Sequence, residues 1–190
     1  MEAHPIMSLA LALIAHASTR AMRTGTFPNN DPLDARGRSE AVKFLEYWDC
    51  PPFARVLSSP MRCAIETAET LGLSATIEPA LADMDYGRWR GMRLSDLAEH
   101  DPVSLHAWLS DPASAPHGGD SLHELQSRMG RWIDSLTGEG NLIAITHASV
   151  IRAAFIHALG FDAKAAFELQ IDPMARFMLV RVRNRRWKLA

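Results

Sequence analysis

Apolar positions along this chain come in short continuous runs, separated by stretches in which they recur at helical spacing. The runs at 9–14, 53–58, 75–77 and 141–146 predict strands, since an unbroken apolar run of that length suits a strand buried on both faces. Between them, 34–48, 59–71, 120–136 and 150–159 predict helices. The first of these follows the turn Pro28-Asn29-Asn30-Asp31-Pro32. The second carries Pro60 near its start, where a missing N–H costs nothing. Weaker helical patterns cover 94–100 and 102–109 in a loop-rich middle, and the tail, 175–182 with 186–189, predicts a hairpin turning near Asn184. Strands alternating with helices define the α/β class: a three-layer α/β/α sandwich on a mainly parallel sheet. With no repeat or linker, 1–190 reads as a single domain with a small lid-like insertion at about 83–119. In such sheets the ligand site lies beyond the carboxyl ends of the strands.

Composition changes this picture little. At 47% hydrophobic and 22% charged residues the chain is ordinary globular material, which excludes disorder, collagen and coiled coil. A formal charge of −2 argues against a surface built for nucleic acid or an anionic membrane. The basic tail at 181–188 fits the polar face of the terminal hairpin better than a nucleic-acid contact. Cys50 and Cys63 form no CxxC motif and are too few for a disulfide scaffold; they read as packing residues, and a reducing cytoplasm is the expected location. The apolar run at 7–14, followed by Ala15-His16-Ala17, mimics a signal-peptidase site. Residues 1–6 hold no Lys or Arg, however, so a buried first strand is the favoured reading. The eight histidines show no HExxH and no Cys/His ligand spacing, so no metal is expected. Without a GxxxxGK[ST] loop, no cofactor is expected either.

Chemistry concentrates at the ends of the runs. His16 follows the first predicted strand and His147 the run at 141–146, each with small residues after it. Arg62 falls in the first turn after the second strand, where a helix N-terminus adds its own attraction for an anion. Two imidazoles, a guanidinium and a helix N-terminus on one rim describe a phosphate pocket.

The chain resembles the histidine phosphatase superfamily, the phosphoglycerate mutase-like proteins, through six blocks in order. The stretch at 13–19 is similar to the family's Arg-His-Gly-x-Thr, and Pro32-Leu-Asp-Ala-Arg-Gly37 to its Leu-Thr-x-x-Gly. Ser58-Ser-Pro-Met-Arg-Cys-Ala-Ile-Glu-Thr-Ala-Glu69 is similar to Ser-Ser-Pro-x-x-Arg-Ala-x-Gln-Thr-Ala-Glu, with the arginine one position out of step. The block at 81–91 is similar to Leu-x-Glu-x-x-x-Gly-x-Trp-Glu-Gly. Gly118-Gly-Asp-Ser121 resembles Gly-Gly-Glu-Ser, and Thr146-His-Ala-Ser-Val-Ile-Arg152 the closing histidine motif.

The resemblance implies a metal-independent phosphomonoesterase acting on a small phosphorylated substrate. His16 would be the nucleophile and become phosphorylated; Arg62, His147 and Thr19 would hold the phosphoryl oxygens. Asp83, four residues before Gly87, would protonate the leaving group, with neighbouring Asp85 as the competing carboxylate. The chain departs from the pattern at Ala15, where the family has Arg; at Met22, where it has Asn; and at Ala17, where it has Gly. Losing one preorganised cation costs roughly 10²–10³ in rate, so a slow enzyme is expected unless Arg20, Arg23 or Arg90 substitutes. The alternative is an impaired member that binds a phosphorylated metabolite or protein without turning it over.

Overall fold

The computed structural model describes residues 9–181 and 186–190. In chain order the elements are β1 (Leu9–Ala15), α1 (Arg20–Thr24), α2 (Ala35–Phe44), β2 (Arg55–Ser58), α3 (Arg62–Thr70) and β3 (Thr76–Ile77). Then come α4 (Leu94–His100), α5 (Pro102–Ser110), α6 (Leu122–Ser135), β4 (Gly140–Thr146), α7 (Ala148–Leu159), α8 (Ala163–Glu168), β5 (Arg176–Arg181) and β6 (Trp187–Leu189). One sheet runs β3-β2-β4-β1-β5-β6. Its first four strands are parallel, and β5 and β6 join antiparallel. The expected turn near Asn184 lies outside the described residues.

The apolar runs are strands because each is covered on both sides. Along β1, Leu9, Leu11, Leu13 and Ala15 enter one core with residues of α6 and α7, including Leu125, Met129, Ile151 and Phe155. The alternate residues Ala12 and Ile14 enter a second core with Phe44 of α2 and with Cys63, Ala64 and Ala68 of α3. Strand β4 divides the same way, Leu142 and Ala144 against Ile143 and Ile145. Two-residue side-chain alternation thus makes three layers. Residues 9–14 of the run that mimicked a signal peptide lie in the strand between β4 and β5.

Helix α6 starts where Ser121 and Glu124 cap each other's backbone N–H groups, a reciprocal capping box. Helix α2 comes so close to the loop after β1 that a Cβ on Gly37 would sit 2.1 Å from the Ser18 carbonyl oxygen. Only glycine fits that contact, which accounts for its place in the motif. Phe27, Trp89, Leu97 and Leu105 form a small core of their own, with Tyr86 and Trp108 packed against it.

Two short helices, α1 and α8, escape the hydrophobic pattern because neither has the length to show a period. Helix α3 begins at Arg62, later than its sequence pattern predicts: the Ser59 hydroxyl accepts the Met61 N–H at 3.2 Å and keeps that segment extended.

Candidate active site

Three strands deliver the site. In the register of β1 on β4, Ala15 pairs with Thr146, so the residues that follow, His16 and His147, emerge side by side with ring centroids 4.9 Å apart. Strand β2 runs alongside β4, and Ser59, just past its end, donates its N–H to the Ile145 carbonyl. A cavity of about 30 Å³ opens here; His16, Thr19, Met22, Met61, Cys63, Asp83 and His147 are among the residues lining it.

The His16 Nδ1–H donates to the carbonyl of Ala17 at 2.8 Å. That bond fixes the tautomer and leaves Nε2 with its lone pair. Burial lowers the His16 pKa, opposed by the Ala17 hydrogen bond and the Asp83 charge, so the ring is neutral at neutral pH. His147 is 3% exposed. Its Nε2 meets the Ser59 hydroxyl at 2.8 Å, and its Nδ1 has no hydrogen-bond partner among the described residues. Burial outweighs the attraction of Asp83 and pushes its pKa down to about 4.

Asp83 lies 3.5 Å through Oδ2 from His147 Nδ1. Its other oxygen, Oδ1, accepts from the Met84 N–H at 2.8 Å and, in a short bond, from the Ser149 hydroxyl in the first turn of α7. Asp85 is elsewhere: its carboxylate takes the Gly87 N–H and the Arg90 guanidinium, facing the outer cleft. The structure therefore separates the two carboxylates, and only Asp83 faces the histidines.

Thr19 reaches the cavity as the N-cap of α1, its hydroxyl accepting from the Met22 N–H. Arg62 does not reach it. Its guanidinium is bound to Glu66, one turn along α3, at 3.0 Å, with the side chain 57% exposed. The residue of α3 that lines the cavity is Cys63, whose thiol is pushed up to about 12 by burial and by the Asp83 charge. A one-residue step on a helix turns the side chain by about 100°, so Arg62 and Cys63 cannot both face inward. Placed on 58–64 without a gap, Ser-Ser-Pro-x-x-Arg-Ala sets Cys63 where the arginine stands.

Two of the other three candidate cations are engaged as well. Arg23 pairs with Asp34 at 2.8 Å, and Arg90 with Asp85 at 2.6 Å. Arg20 does not line the cavity, and among the described lining residues there is no Arg or Lys. The outer cleft, about 450 Å³, is lined by Asp83, Asp85, Arg90, Asp120 and Arg128, among others.

Sequence reasoning missed Arg128. From α6 it donates to the carbonyls of Ala82 and Asp83 at 2.7 and 3.0 Å, and to Asp120 at 2.8 Å. It pins the backbone that carries Asp83. Nothing in its local sequence marks this role, because the two carbonyls it holds lie some 45 residues away.

Two histidines at the ends of adjacent parallel strands in a three-layer α/β sandwich, in a chain whose relatives are phosphatases, define a phosphate-ester hydrolase. The pattern of the histidine phosphatase superfamily (branch 1) matches residues 11–190, and the chain belongs to that family. The adenosylcobalamin/alpha-ribazole phosphatase of Escherichia coli is 27% identical over 174 residues, 86% of each chain. Phosphoserine phosphatase 1 of Hydrogenobacter thermophilus is 24% identical over 186 residues, 93% of this chain and 88% of that one. The alpha-ribazole phosphatase structure from Shigella flexneri superposes with a TM-score of 0.84 at 25% identity, covering 95% of this chain and 94% of that one. A bifunctional protein of Mycobacterium tuberculosis is 30% identical over 126 residues; the match spans 63% of this chain and 35% of that protein. No helix among the described residues is long and apolar enough to cross a membrane.

Proposed function

We propose that the chain is a slow phosphomonoester hydrolase that works through a phosphohistidine on His16. The observation that carries this reading is the hydrogen bond from His16 Nδ1 to Ala17, which leaves a neutral Nε2 lone pair beside Asp83 and His147. In the first step Nε2 attacks phosphorus, the P–O ester bond breaks, and the leaving alkoxide takes a proton from Asp83 Oδ2. In the second step water attacks phosphorus and gives a proton back to the Asp83 carboxylate, the P–N bond breaks, and phosphate leaves with His16 and Asp83 restored. The Thr19 hydroxyl and His147, in the tautomer that carries the proton on Nδ1, would hydrogen-bond the phosphoryl oxygens, and Arg62, held on Glu66, is left out of this set. The rest of a small phosphorylated substrate would occupy the outer cleft beside Arg90 and Arg128. A cytoplasmic setting completes the proposal.

Slowness follows from charge. A phosphate dianion entering the inner cavity meets neutral imidazoles and a buried thiol, with Ala15 and Cys63 at positions where the family pattern carries arginine. Each missing cation is worth roughly 10²–10³ in rate.

The test is hydrolysis of p-nitrophenyl phosphate at pH 5–8 in the presence of a chelator. Turnover abolished by His16→Ala supports the reading. Absence of turnover by the unaltered chain against a panel of phosphomonoesters would replace it with a second one, a member that binds a phosphorylated metabolite or protein without hydrolysing it. The departures from the family pattern at Ala15 and Met22 favour that second reading.

A further inference from the structure

His16, Cys63 and His147 come from three separate elements, yet one donor atom from each lies within 4.8 Å of the others. We propose that His16 Nε2, His147 Nδ1 and Cys63 Sγ together bind a first-row transition-metal ion of borderline softness, with zinc as the reference ion. This reverses the expectation that the histidines hold no metal and that Cys63 only packs. No local ligand spacing exists because the fold assembles the set.

Around a tetrahedral ion with bonds of roughly 2.0–2.3 Å, donors stand roughly 3.3–3.7 Å apart. The three side chains would therefore close by about an ångström. The cavity of about 30 Å³ has room for an ion and one bound water.

The surroundings match what a metal-bound histidine needs. Such a ring usually donates its second N–H to a carbonyl or other oxygen, which orients the coordinating nitrogen. His16 does this through Nδ1 to Ala17 O, and His147 Nε2 meets the Ser59 hydroxyl, which can accept its N–H, both at 2.8 Å. In the tautomer that donates Nε2–H to Ser59, His147 Nδ1 carries a buried lone pair, with no hydrogen-bond partner among the described residues. A coordinated ion supplies one.

Charge and softness agree. On binding, the Cys63 S–H bond breaks, its proton leaves to solvent, and the thiolate bonds the metal. The thiolate and the Asp83 carboxylate, 3.5 Å from His147 Nδ1, balance a dication. The described lining residues include no Arg or Lys to oppose it. One sulfur and two imidazole nitrogens, walled by Met22 and Met61, disfavour a hard ion such as Mg²⁺. This site does not depend on the phosphatase reading. The ion and a phosphoryl group would compete for the same His16 Nε2.

The test is an optical titration of the chelator-stripped full chain with Co²⁺, followed by Zn²⁺, with Mg²⁺ as the hard control. Expected are one Co²⁺ per chain, a thiolate-to-cobalt charge-transfer band, displacement by Zn²⁺ and indifference to Mg²⁺. Cys63→Ser removes the band and weakens Zn²⁺ binding at least roughly 100-fold, and Ser59→Ala weakens it roughly 10–100-fold. Circular dichroism and a cooperative melt establish that each variant folds; if Ser59→Ala does not, His16→Gln takes its place with loss of binding expected. No band, or Co²⁺ binding unchanged by Cys63→Ser, overturns the proposal. Displacement by Mg²⁺ at equal concentration overturns it as well. Because the readout is absorbance, this outcome is independent of whether any phosphoester is hydrolysed.

Discussion

The backbone N–H of His16 donates to the carbonyl of Thr146 at 2.8 Å, continuing the ladder of β1 and β4 one residue beyond the strands. That bond sets the spacing of the two histidines through the backbone. It ties the loop of one to the strand that presents the other.

The cavity's missing charge is expected to be restorable from α3. Cys63→Arg should raise kcat/KM for p-nitrophenyl phosphate by roughly 10²-fold. Ala15→Arg is the harsher route, because Ala15 is packed in the apolar core at 4% exposure and an unpaired guanidinium there costs several kcal/mol of stability. Steady-state kinetics with urea unfolding of each variant measure both. A Cys63→Arg enzyme that folds and is no faster counts against the slow-enzyme account.

Stability should fall in mild acid. In the unfolded chain a histidine takes a proton below its ordinary 6.5, whereas folded His147 resists until about 4. The unfolded state thus binds more protons across that window. The contribution is present above about pH 6.5, declines as pH falls, and is gone below about 4. Its full size is about 3 kcal/mol. Urea unfolding at pH 7.5, 6 and 5 should show the decline, and His147→Gln should flatten it. Equal slopes in both proteins would contradict this.

Arg128 is expected to act through Asp83. Arg128→Met keeps the aliphatic stem but frees the Ala82 and Asp83 carbonyls. It should lower kcat about tenfold and shift the acidic side of the pH–rate profile, with a stability loss of about 1–3 kcal/mol. A uniform loss of activity with an unshifted profile would mean that Arg128 supports the fold and does not position the acid.

Gly37→Ala is expected to destabilise by about 1–3 kcal/mol, since the new methyl meets the Ser18 carbonyl and the backbone must move. The loop carrying Ser18 and Thr19 shifts with it, so KM should rise. Chemical denaturation and kinetics on one preparation test both effects.

The layers were legible in the chain because continuous apolar runs and helical spacing report burial directly. Leu9, Leu11 and Leu13 facing one core while Ala12 and Ile14 face the other is what such a run encodes. His16 and His147 were legible from their place after buried strands. The choice between Arg62 and Cys63 was not. Both sit in the first turn of α3, and which one faces inward depends on where Ser59 lets the helix start. The ungapped motif was the available signal, since it sets Cys63 on the arginine position. Arg128 was beyond reach because its bonds are tertiary, and α1 because five residues carry too little pattern.

The sheet ends in β3 on one side and β6 on the other, two and three residues long. Margins that short leave little unpaired backbone to template a neighbouring chain. Copies of this protein are therefore guarded against stacking strand on strand into fibrils, even though the interior of the sheet is made of aliphatic runs such as LALALIA that would be hazardous if exposed.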